Sequence, residues 1–287
     1  MTLTSGAVAD RPAEPGLFAG LVDDAAVFPP GNAPLADAVR LHRLHRTSAY
    51  AACVGPLLVP AASADDLVAL LAAATEPDPL RVAVIGRPGT PVEEVVSAVQ
   101  TLRRAPRAVV VGAEIGWSPD WREAALDVPL SLEVPRGATQ SGALADIAAD
   151  ASDSDLLQAK FRTGATPTWA WPDEAELAAF IRGAVDHDLG FKLTGGLHHA
   201  VRGNHAGEEQ HGLLNVLTAV RWALNGEEAD ELTPLLAERD PAELVSHVTR
   251  MSAADAAIVR AFFTTYGCCA VTDPITELTS LGLIEGP

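Results

Sequence analysis

Short apolar runs alternate along this chain with longer stretches in which apolar residues recur at helical spacing. Eight of the short runs read as strands: Leu17–Phe28, Ala49–Val59, Arg81–Ile85, Arg107–Ile115, Val128–Val134, Leu156–Arg162, Gly190–Leu193 and Cys268–Thr272. The third and fourth contain unbroken apolar blocks, Val82-Ala83-Val84-Ile85 and Ala108-Val109-Val110-Val111. Parallel strands covered on both faces read this way. Asp23 and Asp24 interrupt the first run.

The intervening helices start at capping signals. Ser63-Ala64-Asp65-Asp66 opens a stretch carrying Leu67, Leu70 and Leu71. Thr90-Pro91-Val92-Glu93 offers a cap, a proline at the first helical position and then an acid. From Pro172 onward, Leu177, Phe180, Ile181, Ala184 and Val185 share one helical face. Asp240-Pro241-Ala242-Glu243 and Ser252-Ala253-Ala254-Asp255 repeat the signature. Repeated strand–helix–strand units imply a parallel sheet with right-handed crossovers, and eight of them predict closure. The expected fold is therefore α/β, a (β/α)8 TIM barrel. One interval is too long for this scheme. About 75 residues separate Lys192 from Cys268, where a βα unit needs roughly 30. His211–Asn225, Pro241–Arg250 and Ala253–Tyr266 read as helices there. They predict a helical insertion between strands seven and eight, near residues 226–266, within a single domain spanning 1–287.

Composition narrows the function classes. A length of 287 residues and 48% hydrophobic content suit such a barrel. The net charge of −18 argues against nucleic acid or an anionic membrane as partner. No apolar run is long enough to span a bilayer, since Pro56 and Pro60 interrupt the best candidate. Met1–Pro12 has no basic stretch followed by an apolar core, and Cys53, Cys268 and Cys269 make no disulfide framework. Both points lead to a cytoplasmic expectation. The expected partner is a small-molecule substrate, and homo-oligomerisation is allowed. No Walker loop and no Gly-x-Gly-x-x-Gly occurs, so no nucleotide cofactor is expected, nor any other.

The chain uses 18 arginines and only two lysines, Lys160 and Lys192. An ammonium can lose its proton and become a nucleophile, whereas a guanidinium effectively cannot. Both lysines fall in strand ends, in Lys160-Phe161-Arg162-Thr163-Gly164 and Lys192-Leu193-Thr194-Gly195-Gly196. Barrel active sites lie at the C-terminal ends of the strands. Strands four and five end near Glu114 and Glu133, so two carboxylates and the cations Lys160, Arg162 and Lys192 are expected to ring one mouth. Neighbouring ammonium groups would depress each other's pKa, freeing an amine to add to a carbonyl. Glu133 and Glu114 are the acid–base candidates, and Arg162, Thr163, Thr194, His198 and Arg202 the candidates for holding substrate. Asp24 joins them, because Asp23-Asp24 precedes Phe28-Pro29-Pro30-Gly31, a segment that reads equally as a rigid loop over the site or as a capping turn.

These paired sentences resemble those of the deoxyribose-phosphate aldolase family, class I aldolases on a (β/α)8 barrel. Lys160…Thr163-Gly164 and Lys192…Gly195-Gly196 carry the likeness, supported by Glu114-Ile115-Gly116 and Leu132-Glu133, over about Arg107–Gly196. The resemblance implies a lyase in which Lys160 forms the imine and Lys192 lowers its pKa. The family's proton-shuttling aspartate would fall near Val110, leaving that role to Glu114. Gly267-Cys268-Cys269-Ala270 stands where the family has a serine-containing phosphate site, and the nearby Asp273 would repel a phosphate. A small polar or carboxylated carbonyl compound is therefore the expected substrate, with Arg162 and Arg202 to anchor a carboxylate.

Two other classes compete. His198, His199, His205 and His211 follow strand seven closely and could serve a metal-dependent hydrolase or lyase. A barrel that binds a small molecule without turning it over is the third.

Overall fold

The computed structural model describes residues 14–74, 78–87, 89–151, 156–167 and 169–286. Met1–Pro12 and the acidic Ser152–Asp155 lie outside the described residues.

Eight parallel strands close into a barrel: β1 (Val22–Asp24), β2 (Val54–Pro60), β3 (Leu80–Ile85), β4 (Ala108–Gly116), β5 (Leu130–Glu133), β6 (Leu157–Arg162), β7 (Phe191–Thr194) and, after a small hairpin, β10 (Phe263–Cys268). The ring runs β1-β10-β7-β6-β5-β4-β3-β2. The fold is thus the expected (β/α)8 barrel. Residues alternate between its two faces. Leu57, Val59, Val82, Val84, Ala113, Ile115, Phe161 and Leu193 face the helices and join the main core. Their neighbours along the strands face inward.

Helices α1 (Leu35–His45), α2 (Ala64–Ala73), α3 (Val92–Arg103), α4 (Gln140–Ala151) and α5 (Glu174–Asp186) follow the first strands. The last of these starts on a capping box between Asp173 and Glu176. Its Phe180 stacks on Phe161 at 4.6 Å and meets Phe191 edge-on at 5.2 Å; Phe191 stacks on Phe263 at 5.6 Å. This aromatic file ties β6, β7 and β10 together from outside, and so fixes the two lysine-bearing strands against each other.

The long interval holds the hairpin β8 (Gly203–His205) and β9 (Glu208–Gln210), which the hydropathy pattern does not reveal because its residues are polar. Then come α6 (Leu213–Ala223), α7 (Ala229–Ala237), α8 (Pro241–Thr249) and α9 (Ala253–Phe262). The helical insertion is present, but its end is not where expected. The helix stops at Phe262, and the last strand occupies Phe263–Cys268 instead of Cys268–Thr272. Thr264, Thr265 and Tyr266 are β-branched or aromatic and fit a strand better than the end of a helix. Thr272 opens α10 (Thr272–Ser280). Helix α3 likewise starts one residue late, with Pro91 at the cap and no side chain capping it. Among the described residues no helix is long and apolar enough to cross a membrane.

Candidate active site

Parallel pairing sets the site. Lys160 of β6 is the register partner of Lys192 of β7, and Glu133 of β5 is the partner of Lys160. All three face inward, as does Glu114 of β4. Lys160 and Lys192 are each 3% exposed, so neither is an ordinary surface charge. Their ammonium groups converge on one carboxylate. Lys160 Nζ lies 2.7 Å from Glu114 Oε2, and Lys192 Nζ lies 2.5 Å from Glu114 Oε1. Each lysine has a second acid: Lys160 meets Glu133 Oε2 at 3.0 Å, and Lys192 pairs with Asp23 Oδ2. At the rim, Arg162 grips Glu133 through Nε at 2.8 Å and Nη2 at 3.3 Å. Asp23, Glu114 and Glu133 thus alternate with Lys192, Lys160 and Arg162 in one connected, formally neutral network.

The expectation that the two ammonium groups depress each other is corrected here. Burial does disfavour both charges, but Glu114 stands between the amines, and each has two acids in contact. Attraction outweighs burial, and both lysines are held above the ordinary range. Glu114 responds in the opposite sense. Burial would raise its carboxyl, yet the two ammonium groups bring it down to about 2. Glu133 is lowered, against burial, by Lys160 and Arg162. Asp23 is the exception, with burial pushing its carboxyl up despite the Lys192 ammonium.

Asp23 is the site residue that sequence reasoning missed. Adjacent strand residues point to opposite faces, so only one of Asp23 and Asp24 can enter the barrel. The structure turns Asp23 inward and Asp24 outward, where it bonds His42 Nδ1 of α1 at 3.0 Å. Asp24, expected to hold substrate, is instead buried beneath that helix. The available signal was Gly55 on the neighbouring strand. A Cβ there would sit 2.0 Å from Asp23 Oδ1, so the missing side chain makes room for the acid.

The remaining candidates scatter. Thr163 is buried and donates its hydroxyl to the Thr194 carbonyl at 3.2 Å. The glycines of the paired sentences serve close backbone approach: a Cβ on Gly164 would lie 1.4 Å from the Gly195 carbonyl oxygen. Thr194 lies near Gly267, facing the barrel interior. His198 stands between two thiols, with Nδ1 3.6 Å from Cys268 Sγ and Nε2 3.6 Å from Cys269 Sγ; burial lowers its pKa.

Arg202 lies away from this network, buried against Glu174 at 2.6 Å. His211 is buried beside it, donating from Nε2 to the Pro172 carbonyl at 2.9 Å, with Nδ1 3.3 Å from Arg202 Nη1. Burial, reinforced by the guanidinium, brings His211 down to about 4. Both residues fasten the hairpin region to α5. His199 pairs with Glu277 at 2.7 Å and stacks on His205 with centroids 3.2 Å apart. Of the four histidines, only His199 and His205 touch, while His198 and His211 bond elsewhere. Among the described residues no three His, Cys, Asp or Glu side chains form a group able to hold a metal. Hollows of about 450 and 470 Å3 open around Leu156 and Leu157, where β6 begins, but none of the six charged groups lines them.

No protein-family model matches the chain, and no curated protein does. A solved structure of Yersinia pestis DHPS with a pterine-sulfa conjugate aligns over 92% of this chain and 93% of that one, at 10% identity and a TM-score of 0.43. The barrel assignment rests on the strand order itself. None of these comparisons speaks for the deoxyribose-phosphate aldolase family in particular.

Proposed function

We propose that the chain is a lyase of the Schiff-base-lysine aldolase type, acting on a small polar or carboxylated carbonyl compound. The observation that carries this reading is the meeting of two buried amines on the two oxygens of one carboxylate. A purely structural ion-pair layer would contribute little net stability for its desolvation cost. An enclosed amine with carboxylates in contact has what imine chemistry needs, an attacking nitrogen and acceptors for its proton.

The resting ammonium of Lys160 cannot attack. Its proton must pass to Glu133 or Glu114, which lie 3.0 and 2.7 Å away. Glu133 is the better acceptor, since it sits at the rim where an arriving substrate can compete for Arg162. The neutral Nζ then adds to the carbonyl carbon, the proton returns to the carbonyl oxygen, and water leaves. As the imine accepts the electron pair of the breaking carbon–carbon bond and becomes an enamine, the hydroxyl on the departing carbon gives its proton to Glu133, and that carbon leaves as a carbonyl. Protonation and hydrolysis release the product and restore the amine. Lys192, held by Asp23 and Glu114, orients Glu114 toward Lys160 throughout.

Borohydride reduction in the presence of candidate aldehydes and ketones, followed by peptide mass spectrometry, tests the proposal. It expects an adduct mass on Lys160. No adduct with any carbonyl compound, or adducts that persist in Lys160→Arg, would leave a non-catalytic binding barrel as the better reading.

A further inference from the structure

The barrel interior is divided lengthwise. Inward positions on β4 to β7, together with Asp23, supply every member of the charged network. Inward positions on β2 to β4, with Ala25 just after β1, supply something different. Ala25, Leu58, Ala83 and Ile85 form a hydrophobic cluster separate from the main core, with Phe28 and Val111 packed against it. Phe28 and Val111 are only partly buried, so the cluster is not closed off. The two halves meet at Gly267 on β10. A Cβ there would lie 3.1 Å from Leu58 Cδ1, 3.8 Å from Ala25 Cβ and 3.6 Å from Thr194 Oγ1, touching both walls at once.

Resting on the Schiff-base reading, we propose that the substrate is amphipathic: a carbonyl compound with a short aliphatic or aromatic substituent, and not a polyhydroxylated sugar. Its carbonyl faces Lys160, and its apolar substituent lies against Leu58, Ile85 and Phe28. Small-molecule sites combine an apolar lining with a few placed polar groups, and this interior has both on opposing walls. Hydroxyls turned toward Leu58 and Ile85 would lose their water without gaining hydrogen bonds. A sugar chain therefore fits one wall only. The inference also explains Gly267, where any side chain would intrude on the seam between carbonyl and substituent.

The test separates binding from chemistry. Unreactive alcohols that mimic the carbonyl compounds, from ethanol through butanol to benzyl alcohol, with glycerol as the polar control, are titrated against the full chain by ligand-observed NMR. Affinity is expected to rise about fourfold per added methylene, with glycerol weakest. In Ile85→Thr and Phe28→Ser the rise per added methylene should fall well below about fourfold. A flat series in the native chain, or glycerol binding as well as butanol, overturns the inference. Borohydride trapping of the matching aldehydes is read in parallel. A graded alcohol series without any Lys160 adduct refutes the Schiff-base reading and leaves the amphipathic pocket standing. Adducts formed equally with glyceraldehyde and butanal do the reverse.

Discussion

Glu114→Gln is the most informative single change, because among the described residues Glu114 alone pairs with both amines of the network. Glutamine has nearly the same shape, so no cavity opens and the perturbation is almost purely electrostatic. Glu114 titrates at about 2 in the folded chain against an ordinary 4.5. At ~1.4 kcal/mol per pH unit, that difference corresponds to about 3 kcal/mol of stability carried by its charge. Breaking a buried ion pair from one side costs about 3–5 kcal/mol, which agrees. The pH dependence has a definite sign. A carboxylate whose folded pKa is depressed contributes fully above its unfolded pKa and loses that contribution as pH falls toward the folded value. The native chain should therefore exceed the variant by about 3 kcal/mol in urea unfolding at pH 7. The gap should shrink to under ~1 kcal/mol near pH 2.5. A gap below ~1 kcal/mol at pH 7, or one that persists in acid, would show that Glu114 is not the charged bridge. The same substitution removes the strongest hold on the Lys160 proton, so borohydride labelling of the variant should reach its maximum at lower pH than in the native chain.

In the native chain, labelling at Lys160 should keep rising from pH 7 to pH 10, because the amine is held above its ordinary value; a plateau below pH 8 would contradict the paired network. Gly164→Ala should lower stability by about 3 kcal/mol or more, measured as a fall in Tm, because the new methyl meets the Gly195 carbonyl. His211 is kept neutral to about pH 4, so stability should decline as pH drops from 6.5 toward 4; His211→Gln should lose that part of the decline, and an unchanged profile would count against its buried pairing.

The barrel was legible because its signal is coarse. Continuous apolar blocks such as Val82–Ile85 and capping residues such as Ser252 announce strands and helices wherever they fall. The last strand was misplaced because Phe262 and Phe263 continue the apolar pattern of the preceding helix, which masks the strand preference of Thr264 and Thr265 and leaves pairing with β7 to fix the boundary. The site was half legible for a related reason. Lys160, Lys192, Glu114 and Glu133 stand out as rare or strand-terminal charges in an apolar setting. Asp23 does not, since nothing local says which of two adjacent aspartates enters the barrel. Arg202 and His211 look functional in sequence, the one as an anchor for a carboxylate and the other as part of the histidine stretch after strand seven, yet their partners Glu174 and Pro172 belong to a helix junction outside the barrel.

The protonation state of the network follows from its connectivity more than from its composition. Two lysines on adjacent strands suggest mutual repulsion, and sequence spacing can suggest nothing else. Inserting one carboxylate between them reverses the sign, because each amine then feels an acid in direct contact before it feels the other amine. The resting site is therefore a closed set of pairs, stable but unreactive. In the proposed mechanism, chemistry begins by opening one of them. The pair most accessible to a substrate is Glu133–Arg162, whose side chains are 18% and 28% exposed, against 4% and 3% for Lys160 and Glu114. A substrate carboxylate that took Arg162 would leave Glu133 with one cation fewer and a stronger demand for the Lys160 proton. On this logic Arg162 couples recognition to activation: Arg162→Leu should lower the labelling of Lys160 by carboxylated carbonyl compounds while sparing that by uncharged ones. Equal loss for both classes would place the control of the amine elsewhere in the network.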